Sequence, residues 1–229
     1  MMRQTLLFGC LIAFSGASLG QTRPDVTEIL KKVAETYQAT KEYVLEADAN
    51  GREGSGHMRL AFKAPNRYRM EGSGLFGDDP AFADVLIVYD GSTVWFYLPK
   101  SNQYISFPAS DLTNDAPGDL GDLRPEAIDD FMMSRYRDAG DYTGGATLLR
   151  EETIDIGGVT VDCYVLHVPA HRDPVAYTWW IDKKDSRILR EDHAGTSSVF
   201  TTIKLNDPVP DDLFKFTPPP GAKKVERQP

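Results

Sequence analysis

"VYDGSTVWFYLPKSNQY", residues 88–104, decides how this chain is read. Asp90-Gly91 is a tight-turn pair set between two apolar runs, 85–90 and 93–98, which together predict a β-hairpin. Side chains alternate along a strand, so Trp95 and Tyr97 face one way while Val94, Phe96 and Leu98 face the other. Both faces are therefore apolar, although a strand in a sheet with one wet side needs only one. Two readings stay open here. The strands are central in a sheet packed on both faces, or they wall a curved sheet that encloses an apolar cavity. Met70, Met132 and Met133, being soft and adaptable, would suit such a cavity.

The same period extends outward from the hairpin. Met58, Leu60, Phe62 and Ala64 alternate with His57, Arg59, Ala61 and Lys63; after Pro65, Tyr68 and Met70 alternate with Arg67, Arg69 and Glu71. Further strands are predicted at 103–107, 147–156, 159–168, 174–182, 187–194 and 198–205, two of them joined by Gly157-Gly158. Roughly ten strands in hairpin succession predict one large, curved antiparallel sheet in a mainly β chain with helices (α+β).

Two helices are expected. Residues 25–38 carry a capping box, Asp25 with Glu28, and an apolar stripe of Val26, Ile29, Leu30, Val33 and Tyr37. The second lies in an interruption of the strand pattern at 108–145. There the acidic loop "DLTNDAPGDLGDL" precedes "RPEAIDDFMMSRYRD", with Pro125 near the helix start, Gly140 past its end, and Ile128, Phe131, Met132 and Tyr136 as its apolar face. At Tyr177–Ile181, Trp179 and Trp180 point in opposite directions. The tail "TPPPGAKKVERQP" reads as extended and then frayed.

The N-terminal "MMRQTLLFGCLIAFSGASLGQ" reads as a secretory signal peptide over 1–20, cut before Gln21, its apolar stretch too short for a lasting span. A rival reading makes Cys10 the acylated cysteine of a lipoprotein signal. If Cys10 leaves with the leader, Cys163 is the sole thiol, which excludes an intrachain disulfide and a cysteine metal pair. The net charge of −9 argues against nucleic acid and against electrostatic docking on anionic lipid.

The search for chemistry finds little. His57, His167, His171 and His193 are scattered, and Pro169 between His167 and His171 rules out a helical zinc pair. Asp111, Asp115, Asp119 and Asp122 lack the ligand order of a calcium loop. No phosphate loop or nucleophile elbow is present. No metal, cofactor or catalytic residue is assigned, and the chain is expected not to be an enzyme. A secreted hydrolase using a carboxylate pair is the remaining enzymatic reading; it predicts a polar cleft with perturbed carboxyl groups.

"LAFKAPNRYRME", "YDGSTVWFYLP" followed by "NQY", and "DLFKFTPPPGAKKV" occur in that order, and together they resemble the LolA-type periplasmic carriers of outer-membrane lipoproteins. The resemblance implies a single domain over 21–229: an unclosed antiparallel β-barrel of ten to eleven strands, with helices at about 108–145 forming a lid over an apolar cavity. It implies a monomeric periplasmic shuttle with three partners: acylated lipoproteins, an inner-membrane lipoprotein-releasing ABC transporter and an outer-membrane receptor. Many relatives have arginine where this chain has Ala64, and that arginine is thought to hold the lid shut. The cavity is expected to draw on Phe62, Tyr68, Met70, Trp95, Tyr97, Phe131, Met132 and Trp179. The alternative is a lipid- or envelope-stress-sensing binding module on the same fold.

Overall fold

The computed structural model describes residues 24–51, 54–74, 84–112, 123–170 and 174–226. The expected leader, Cys10, Asp115, Asp119, Asp122 and His171 lie outside them.

Helix α1 (Val26–Gln38) starts where the Asp25 carboxylate accepts the Thr27 N–H at 2.9 Å, and it buries Ile29, Leu30, Val33, Ala34 and Tyr37. The strands are β1 (Glu42–Gly51), β2 (Gly54–Lys63), β3 (Arg67–Ser73), β4 (Asp84–Tyr89), β5 (Thr93–Leu98) and β6 (Gln103–Pro108). Helix α2 (Pro125–Arg137) and a 3-10 segment, Ala139–Gly144, follow. The second group is β7 (Thr147–Ile156), β8 (Val159–Val168), β9 (Tyr177–Asp182), β10 (Ile188–His193), β11 (Thr196–Leu205) and β12 (Lys223–Lys224).

All belong to one sheet, in the order β12-β6-β5-β4-β3-β2-β1-β11-β10-β9-β8-β7. Its two ends do not meet, so the sheet is unclosed. Three expectations are corrected. The sheet has 12 strands, and it is mixed, because β12 pairs in parallel with β6. The tail is not frayed as far as Glu226: beyond β12, the Val225 N–H donates to the Tyr104 carbonyl at 2.9 Å. Its partner strand lies far upstream in the chain, so no local pattern announces the pairing.

Both helices lie on one face, here called the inner face. Tyr136 of α2 meets Tyr37 of α1 at 4.9 Å between ring centroids, Trp179 of β9 at 5.6 Å and Phe200 of β11 at 6.4 Å. Among the described residues no helix is long and apolar enough to cross a membrane.

Candidate functional site: the inner apolar wall

Strand register lines up inner-face side chains in rows across the strands. One row runs Tyr43, Phe62, Tyr68, Tyr89, Val94, Phe107. The next runs Leu45, Leu60, Met70, Ile87, Phe96, Ile105, and a third begins Ala47, Met58, Gly72, Val85. Strands are about 4.8 Å apart, so the five from β2 to β6 make a wall about 19 Å wide.

Burial is complete in the first row and uneven in the next two, where Ala47, Gly72 and Val85 of the third row are buried. The first is wholly buried, with Tyr43 stacked on Phe62 (5.2 Å) and Tyr68 edge-on to Tyr89 (5.9 Å). In the second, Leu60 and Ile87 are buried, whereas Met70, Phe96 and Ile105 are only half-buried. Met58 and Leu98 beyond them are also half-buried. An apolar surface that its own fold leaves half-covered retains part of its cost in water, at roughly 25 cal/mol per Å².

Polar contacts tie α2 and the segment before it to the buried side of this wall. The Tyr68 hydroxyl donates to the Leu123 carbonyl (2.7 Å), and the Tyr43 hydroxyl donates to the Asp129 carboxylate (3.1 Å). Asp129 also accepts two bonds from the Arg137 guanidinium, at 2.6 and 3.0 Å. At the far side Glu191 accepts from Arg135 Nε (3.1 Å), Arg135 Nη2 (2.8 Å) and the Tyr136 hydroxyl (2.8 Å). Burial raises the pKa of the Tyr43, Tyr68 and Tyr136 phenols above the ordinary value, which keeps them neutral donors at physiological pH. Ala64 contributes no hydrogen-bonding side chain; phenols and carboxylates hold the helix.

The eight residues named from sequence do not form one set. Phe62, Tyr68 and Met70 share the wall, and Met132 of α2 is buried in the same core. Trp179 is also on the inner face, fully buried against Tyr136 and Tyr142 (5.7 Å) and far along the sheet order from β2–β6. Phe131 is 73% exposed. At 3.6 residues per turn Phe131 and Met133 lie about 100° to either side of Met132. The flank with Met133 is fully buried and the flank with Phe131 is open.

Trp95 and Tyr97 are on the outer face, because Trp95 pairs with Val88 and Tyr97 with Leu86, opposite in parity to Tyr89 and Ile87. There they meet the ring of Phe216, at 6.1 and 5.8 Å, as does Tyr104 at 5.8 Å. The second apolar face of the hairpin is thus covered by the chain's own C-terminal segment. The wall residues that sequence reasoning missed, Ile87, Phe96 and Ile105, have the right alternation; only cross-strand register puts them beside Met70. Among the described residues no group of three or more His, Cys, Asp or Glu side chains is placed to hold a metal.

No protein-family model matches the chain. It is 30% identical over 202 residues to an uncharacterized protein of Methanocaldococcus jannaschii, covering 86% of this chain and 52% of that protein. It is 26% identical over 119 residues to an outer-membrane lipoprotein carrier protein of Actinobacillus pleuropneumoniae, covering 51% of this chain and 52% of the carrier. The chain thus spans about half the length of the curated relatives it matches. Among solved structures it is similar to LprF from Mycobacterium bovis, 12% identical, covering 82% of this chain and 97% of that one, with a TM-score of 0.48. The resemblance to lipoprotein carriers seen in the motifs is present in the sequence comparison.

Proposed function

We propose that this chain is a carrier that holds acyl chains against the inner wall of β2–β6, beneath α2. The observation that carries this reading is the half-buried apolar side chains of one face, Met58 and Met70 on β2 and β3 and Phe96, Leu98 and Ile105 on β5 and β6, which flank the buried Val85 and Ile87 of β4 and are bordered by a fully buried row. Each methylene kept from water is worth about 0.8 kcal/mol, so a chain of about fifteen costs roughly 12 kcal/mol to expose. A protein that moves acyl chains through water needs an apolar surface that can be uncovered, and the wall with its polar-tethered helix fits that need. Similarity to a lipoprotein carrier supports an acylated protein as the cargo.

In the full form of the proposal the leader is removed and residues 21–229 act as one extracytoplasmic domain. Residues 108–145 form the lid over an apolar cavity. The protein is a monomer without enzymatic activity, and it takes cargo from an inner-membrane transporter and gives it to an outer-membrane receptor. The test is a paired substitution, Met70→Glu with Phe96→Glu, assayed with a fluorescent fatty-acyl probe and by lipoprotein extraction from inner-membrane vesicles. A folded variant is expected to lose both activities. Undiminished extraction would remove the wall as the cargo site.

A further inference from the structure

The inner face does not end at the apolar wall. Beyond β2 the same register continues through small and polar side chains: Gly56 pairs with Ala49, Ala49 with Ser198, Ser198 with Glu191, Thr196 with His193 and His193 with Tyr177. We propose that this shelf, under the open flank of α2, is a second subsite of the carrier. It takes the uncharged ester and amide groups that join acyl chains to a protein, while the chains themselves lie on β2–β6. The inference rests on the carrier reading and names the part of the cargo that is recognised by hydrogen bonds.

Two tethers place α2 above the shelf. Asp129 is held to Tyr43 of β1, and Arg135 is held to Glu191 of β10. From Asp129 to Arg135 the helix advances about 9 Å, which matches the two strand spacings from β1 to β10. Phe131 lies between the tethers, one turn before Arg135 on the same flank, and the Arg135 guanidinium sits 5.9 Å from the Tyr177 ring centroid. The 73% exposure of Phe131 is therefore on a flank that runs over the sheet. The floor opposite that flank, Ala49, Gly56 and Ser198, is made of small residues that are only half-buried, so solvent reaches both sides of the space between helix and sheet. His193 is three strand spacings, about 14 Å, from Met58 at the near end of the wall.

The polar atoms of the shelf suit carbonyl acceptors. Among the described residues the His193 ring and the Thr196 and Ser198 hydroxyls make no hydrogen bond; His193 meets only the Tyr177 ring, at 5.2 Å between centroids. Behind them Trp179 Nε1 is buried without an acceptor, its ring centroid 6.1 Å from that of Tyr177. Each of these groups can donate to a neutral carbonyl, and an acceptor would remove the cost of a buried, unpaired donor. Arg135 is already committed: Nε and Nη2 donate to Glu191, and Nη1 donates to the Phe131 carbonyl at 2.8 Å. A carboxylate or phosphate would also come close to the buried Glu191 carboxylate, which repels it. The shelf thus selects an uncharged head over that of a fatty acid or phospholipid.

The test displaces N-phenyl-1-naphthylamine, a neutral apolar fluorophore, with a synthetic diacylated lipopeptide and, separately, with palmitate. In His193→Leu with Ser198→Ala, displacement is expected to need about tenfold more lipopeptide than in the parent, with the palmitate requirement unchanged. Phe131→Ser, at an exposed position, should weaken the lipopeptide at an unchanged Tm. A folded double variant that binds lipopeptide as the parent does, or that loses lipopeptide and palmitate alike, overturns the subsite and leaves the carrier reading standing. A parent that takes up neither lipid overturns the carrier reading and the subsite with it. Should the double variant fail to fold, modification of the parent's histidines by diethyl pyrocarbonate decides. Lipopeptide that protects His193 but not the exposed His57 supports the proposal, and a His193 that reacts equally with and without saturating lipopeptide defeats it.

Discussion

Replacing Glu191 with alanine probes what holds α2 on the sheet. Glu191 is 3% exposed and accepts three hydrogen bonds from Arg135 and Tyr136, the Arg135 side chain itself being 14% exposed. Removing the carboxylate leaves a guanidinium and a phenol in the interior without their acceptor. Breaking a buried pair in this way costs about 3–5 kcal/mol. In a domain of this size each kcal/mol lowers Tm by about 2–4 °C, so Glu191→Ala is expected to melt roughly 6–20 °C below the parent. Urea denaturation followed by tryptophan fluorescence suits the assay, since Trp179 touches Tyr136. Replacing both partners, Arg135→Met with Glu191→Leu, removes the stranded charge and should restore most of the loss. Tyr136→Phe, which deletes one neutral donor, should cost about 1 kcal/mol. A loss under about 1 kcal/mol for Glu191→Ala, or a double replacement as damaging as the single, would refute the ion-pair reasoning.

The remaining predictions concern smaller elements. Tyr68→Phe keeps the ring but leaves the Leu123 carbonyl without its donor; at about 1–2 kcal/mol the acyl probe should enter about tenfold faster, and an unchanged rate counts against the tether. Cys163 is fully buried, and burial pushes its thiol up to about 12, so the group is neutral at pH 8 and a thiol reagent should label it only on unfolding. Stoichiometric labelling of the native protein would contradict that. Gly74 has φ +65°, and a Cβ there would fall 2.3 Å from the Ser55 carbonyl oxygen. Gly74→Ala should therefore cost more than about 1 kcal/mol in equilibrium denaturation, and a neutral result would mean that the β2–β3 pairing yields freely at that point.

Local chemistry made much of the fold legible. Asp90-Gly91 set the β4–β5 hairpin, and the Asp90 carboxylate accepts the Ser92 and Thr93 N–H groups at 2.8 Å. Asp25 opened α1 and Pro125 opened α2. Alternation showed that Trp95 and Phe96 must part, but not which of them the helices would cover. That choice depends on register through β3 and β4, where Tyr68 meets Tyr89 and Met70 meets Ile87, and register is a pairing between distant segments. The C-terminal segment was illegible for a related reason. "TPPPGAKKV" has the composition of a loose end, and its order comes from Phe216 meeting three aromatic rings on β5 and β6 and from β12 pairing with β6. Phe131 was misplaced because a helix stripe drawn from sequence is symmetric, whereas here only the Met133 flank of α2 is buried.

The central claim is that the inner wall carries acyl chains, and what the protein holds when it leaves its own cell tests that most directly. The measurement is native mass spectrometry of the protein purified from the cells that make it, followed by denaturing identification of any released mass, for the parent and for Met70→Glu with Phe96→Glu. A bound acylated species on the parent, absent from the folded double variant, is the predicted result. A parent that is empty and takes up no acylated protein from vesicles would contradict the account, as would cargo that stays bound when the wall is charged.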